Sequence, residues 1–210
     1  MTTEELLETL ETPAYVEVLL CVATGKNYAS SIARHLKKKQ PTVTEQLAKL
    51  ESLGLIVPLK RDKAKKYEVN WPVLLKVFYD VVKETIECSK DFLLIEKEMM
   101  ALKDLTIKDL KKVVPPDLVK VFLKEYFNIF MEQGGKRKGF DELIFSFFGA
   151  LNNIEKPYLK KLVKMFNIEE ETLLRLSAVM EFEMTGREQT AIVTFLEGLS
   201  ERKKRLERMK

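Results

Sequence analysis

Apolar residues early in the chain recur three and four positions apart: Val16, Leu19, Leu20 and Ala23, then Ile32 and Leu36, then Val43, Leu47 and Leu50. Each set is the spacing of a helix that buries one face. Thr12-Pro13 supplies an N-cap and a first-turn proline for the first helix, and Gly25 ends it. The second helix is predicted from about Tyr28 to Leu36. The third carries Pro41 in its first turn and stops at Gly54, which can take a left-handed C-cap. The period then changes. Leu55 to Lys60 reads as a strand, Arg61-Asp62-Lys63-Ala64 as a polar turn, and Lys65 to Asn70 alternates as a return strand. Pro58 places the first strand at an edge or makes it irregular there.

From Trp71 onward every signal is helical. Asn70-Trp71-Pro72 opens a helix with Val73, Leu74, Val77, Phe78 and Val81 on one side, and Ser89 can cap another through Phe92, Leu93, Ile95 and Met99. Pro115-Pro116 interrupts the pattern, and Asp117 to Gln133 resumes it. The run from Gly134 to Gly139 is the clearest linker. Beyond it FDELIFSFFGAL, KPYLKKLVKMF and EEETLLRLSAVMEFEM each read as helices, and Thr185-Gly186 precedes a last long one. The expected class is therefore mainly α: three helices and a two-stranded hairpin over residues 1–70, a helical linker or dimerisation region over 71–133, and a helical C-terminal domain over 140–210.

Composition changes this picture only when charge is mapped. The net charge of the 210-residue chain is +4. Between Lys26 and Lys66, however, eleven Lys or Arg stand against Glu45, Glu51 and Asp62, so that stretch carries +8 and the remainder −4. Such concentration points to an anionic partner, and nucleic acid is the commonest. The two cysteines, Cys21 and Cys88, fall on apolar helical faces and read as buried thiols of a reducing cytosol. The apolar runs are too short to span a bilayer, and the acidic start MTTEELLETLE is unlike a secretory signal, so a cytoplasmic protein without a membrane partner is expected.

Three helices followed by a basic hairpin is the layout of a winged helix-turn-helix. SIARHLKKKQPTVTEQLAKLESLGLI resembles the helix-turn-helix of ArsR- and MarR-like regulators of bacteria and archaea, with the densest agreement from Gln40 to Thr44 and at Leu47, Leu50, Gly54, Leu55 and Ile56. The resemblance runs from about Tyr15 to Asn70, and Lys66-Tyr67-Glu68-Val69 is similar to the second wing strand. Two positions depart from the family. Glycine is usual where Lys37 stands, and Ser or Thr where Lys39 stands. Left-handed backbone at a lysine costs about 1–2 kcal/mol, which makes Gln40 the alternative cap. The paired cysteines of ArsR metal sensors are replaced by Ser31, Ile32 and Ala33, so metal sensing at that segment is not implied.

With Val43, Leu47 and Leu50 facing inward, Pro41, Glu45, Ala48, Lys49 and Ser52 point outward, Thr42 and Thr44 flank them, and Gln46 sits at the rim. The resemblance implies that this face enters the major groove of double-stranded DNA. Gln40, Thr42, Thr44, Glu45, Gln46 and Lys49 are then the candidates to meet base edges. Lys38 and Lys39 stand where phosphate would meet the helix N-terminus. Lys60, Arg61, Lys63, Lys65 and Lys66 of the wing are candidates for the phosphate backbone or minor groove. Tyr67 is expected to pack within the wing, Cys21 within the first helix, and His35 to be a surface residue.

No Ser-His-Asp set, glycine-rich phosphate loop or justified carboxylate pair stands in the chain, and GGKRKG lacks the phosphate-loop spacing. No catalysis, cofactor or metal is expected. The function that follows is a DNA-binding transcriptional regulator, homodimeric through helices after residue 71, with an effector response as the further role open to the helical region. The alternative is a winged helix that binds other proteins of a larger assembly and never reads DNA. Phe140, Phe145, Phe147 and Phe148 form the most apolar patch, with interior packing set against dimerisation or an effector pocket.

Overall fold

Proline and leucine spacing place the first elements where the sequence expects them. In the computed structural model the described residues are 3–59, 65–88, 102, 104–131 and 138–185. Helix α1 spans Thr3–Glu11, α2 Pro13–Ala23, α3 Ala29–Leu36 and α4 Gln40–Ser52. Strands β1 (Ile56–Leu59) and β2 (Lys66–Val69) pair antiparallel, with Ile56 opposite Val69 and Pro58 opposite Tyr67. Helix α1 is an addition to the expected layout. Leu6 and Leu10, one turn apart, are buried, and α1 packs on α2. That i, i+4 pair among glutamates was the available signal.

After the wing come α5 (Trp71–Cys88), α6 (Ile107–Val113), α7 (Pro116–Tyr126), α8 (Phe140–Asn153), α9 (Lys156–Phe166) and α10 (Glu170–Thr185). A π-helical turn, Phe127–Met131, follows α7 directly. Among the described residues the part after the wing is thus all-helical, and α7 starts on the second residue of the Pro115-Pro116 break. Ser89 and the helix expected after it, residues 134–137 of the linker, and the final helix after Gly186 lie outside the described residues. Among the described residues no helix is long and apolar enough to cross a membrane.

The described parts of Met1–Phe78 and Val119–Leu143 form one compact unit, and those of Tyr79–Leu118 and Ile144–Lys210 form a second. The expected segments 71–133 and 140–210 are therefore each shared between the two units. In the first unit Val16, Leu19, Ile32, Val43, Leu47 and Leu50 are all essentially inaccessible. At about 1.5–3 kcal/mol for each buried aliphatic side chain, these fix how α2, α3 and α4 pack. Cys21 is buried within this core. In the second unit Phe147 and Phe148 are buried with their rings edge to face at 5.0 Å. Interior packing accounts for them, and for the buried Phe140 of the first unit; Phe145 is half-buried.

Candidate nucleic-acid interface

The turn between α3 and α4 positions the exposed face of α4. Ser31 Oγ accepts the Tyr28 N–H at 3.3 Å and closes the start of α3. At its end Lys37 takes left-handed backbone, φ 52° and ψ 39°, while Lys38 N–H donates to the Ala33 carbonyl at 2.9 Å. Lysine thus occupies a left-handed conformation that favours glycine, at a cost of about 1–2 kcal/mol. Lys39, in extended backbone, is the N-cap of α4, so Gln40 begins the helix and Pro41 follows in its first turn. Lys39 gives no side-chain cap, and neither does Thr12 at α2; the Thr12 hydroxyl donates instead to the Glu8 carbonyl.

The other end of α4 is equally defined. Gly54 has φ +65°, its N–H donates to the Glu51 carbonyl, and Leu55 N–H donates to the Leu50 carbonyl. Asn70 Nδ2 donates to the Gly54 carbonyl at 2.7 Å, tying the end of β2 to the end of the helix. The wing is also joined to the start of α3. Tyr67 N–H donates to the Asn27 carbonyl at 3.0 Å, and Tyr28 bridges to Lys66. This third extended segment was not expected. Tyr67 is buried, as wing packing requires.

On α4 itself Gln40, Pro41, Thr42, Thr44, Glu45 and Ala48 are exposed. The Thr44 hydroxyl donates to the Gln40 carbonyl at 3.0 Å, so it reaches a ligand as an acceptor. Gln46 is half-buried, and its Oε1 is fully buried without a hydrogen bond. That oxygen is not offered to a base edge. Lys39 is exposed, as are Arg34 in the last turn of α3 and Lys37 in the turn. Arg34 and Lys37 were not among the expected contacts, although Lys37 opens the lysine run and Arg34 stands three residues before it.

Three of the expected cations are held by carboxylates. Lys38 Nζ lies 2.7 Å from Glu17 Oε2, a carboxylate buried on α2, so Lys38 fastens the turn to α2 and does not stand open to phosphate. Lys49 Nζ lies 2.5 Å from Glu5 Oε1 of α1. The hydrogen bond to Glu5 raises the Lys49 pKa, and the same bond lowers that of Glu5. Lys65 Nζ lies 2.6 Å from Glu51 Oε2 at the end of α4, which raises the Lys65 pKa, and it stands over the Tyr67 ring. Lys66 is half-buried with its ammonium over the Tyr28 ring at 5.8 Å. Lys60, Arg61 and Lys63 lie outside the described residues. His35 is not a plain surface residue. It is half-buried, with its ring 5.3 Å from that of Phe127.

A helix packed across its predecessor by a short turn, followed by a paired wing, is a winged helix-turn-helix. Residues 12–57 match the family described as "Bacterial regulatory protein, arsR family", a family of DNA-binding regulators. The matched segment runs from the cap of α2 into β1 and contains all of α4. No curated protein and no solved structure matches the chain.

Proposed function

We propose that the chain is a sequence-specific, double-stranded-DNA-binding transcriptional regulator that lays α4 in the major groove and the wing on the phosphate backbone or minor groove. The observation that carries this reading is the exposed polar face of α4, headed by Gln40, Thr42 and Glu45, next to the exposed cations Arg34, Lys37 and Lys39. Hydrogen-bonding side chains can read base edges, while the cations hold the helix end on phosphate. Because one such helix reads only a few base pairs, the working form is a homodimer through helices after residue 71, set on two half-sites. The same reading makes the chain non-catalytic, MarR-like as well as ArsR-like in its architecture, and cytoplasmic, with an effector response assigned to the helical region.

The ion pairs of Lys38, Lys49 and Lys65 favour a second reading, a winged helix that docks on protein, since they reduce the cationic density that DNA requires. Fluorescence anisotropy on a panel of duplexes separates the two. Thr42→Ala should change the ranking of duplexes, by about 1 kcal/mol for a single hydrogen bond to the base it meets. Arg61→Ala with Lys63→Ala should weaken all duplexes alike and reduce the log–log salt slope by roughly one unit per lost phosphate contact. Binding of every duplex that is indifferent to both changes would move the protein-docking reading ahead.

A further inference from the structure

The pair between Glu5 and Lys49 joins two segments 44 positions apart, and one of them is the helix that carries the candidate reading face. Helix α1 does not depend on this pair for its place. Leu6 and Leu10 are buried, and the Thr9 hydroxyl, also buried, donates to the Glu5 carbonyl at 2.9 Å. Glu5 is thus presented to α4 by a packed helix. The Glu5 and Lys49 side chains are both substantially solvent-exposed, at 46% and 36%. A second carboxylate of the same helix, Glu8, also acts on the charge of Lys49. A duplex approaching α4 therefore meets a lysine already neutralised by Glu5, with the negative charge of Glu8 acting on it as well.

We propose that Glu5 is a specificity-determining residue that acts through Lys49: DNA gains the Lys49 ammonium only by displacing the Glu5 carboxylate, so only a site with a strong acceptor opposite Lys49 opens the pair. This rests on the DNA-binding reading above. An exposed pair of this kind contributes little to folding, so breaking it leaves the domain intact while exposing the cation. With the pair broken, Lys49 meets any acceptor, including phosphate, and discrimination falls as affinity rises.

The test is a binding cycle on the full chain, using its preferred duplex and a scrambled duplex of equal length. Glu5→Gln should bind the scrambled duplex about three- to fivefold tighter, the range an exposed ion pair can supply, and the preferred duplex by less. Glu11→Gln, which removes one exposed charge from the same helix, should leave both affinities near those of the wild type. In a Lys49→Gln background, Glu5→Gln should have no further effect on either duplex. Equal or weaker binding by Glu5→Gln overturns the proposal, as does a gain that persists without Lys49 or that Glu11→Gln reproduces. If the wild type and Glu5→Gln both bind no duplex at all, the DNA-binding reading itself fails and the proposal falls with it.

Discussion

At the residue scale, Glu17 and Lys38 illustrate how a charge near a binding surface can serve the fold. Only 4% of the Glu17 side chain and 15% of that of Lys38 are accessible. Removing one member strands the other in a poorly solvated place, whereas replacing both with apolar groups avoids that penalty. Glu17→Ala should therefore cost roughly 2–3 kcal/mol in urea unfolding, below the fully buried extreme because Lys38 keeps some contact with water. Glu17→Leu combined with Lys38→Met should come within about 1 kcal/mol of the wild type. The double variant should also keep its DNA affinity and salt slope, since Lys38 is engaged inside the domain. A loss of one unit of slope would return Lys38 to the phosphate contacts.

At the element scale, what could be read from sequence was what repeats locally. Val43, Leu47 and Leu50 announced α4 through their spacing, and Gly54 announced its end, because both depend on backbone geometry within a few residues. The fate of the lysines could not be read that way. Lys38 meets a residue 21 positions away and Lys49 one 44 positions away, so the pairing exists only once α1, α2 and α4 have packed. Helix α6 shows local logic again. Thr106 caps it by accepting the Asp109 N–H, and Asp109 reaches back to the Thr106 N–H and hydroxyl and out to Lys112. The Lys112 bond first, then those of Thr106, hold the Asp109 carboxyl down at about 2. Because the folded value lies below the unfolded one, the stability this box gives is fully present above about pH 4 and is lost as pH falls toward 2. An NMR titration should place Asp109 near that low value, and Lys112→Ala should raise it toward the ordinary range. An unchanged titration would remove the lysine from the cap.

At the scale of the whole molecule, the regulator reading requires two copies. Light scattering at micromolar concentration should give twice the mass of the chain, and a variant carrying only residues outside the dimer contact should not. A monomeric mass, unchanged by added duplex, would leave α4 with too few base pairs to be specific. The stability of the first unit can be followed by a different route, through the chemistry of a buried thiol. The thiol of Cys21 is sealed in α2 among residues that hold α4 in place. A thiolate reacts with a disulfide reagent only when the reagent reaches it. In a Cys88→Ser background, the rate of Cys21 labelling therefore clocks how often the helix-turn-helix opens. Duplex DNA that grips the closed form should slow that clock in proportion to its occupancy, giving a readout of binding that needs no label on the DNA.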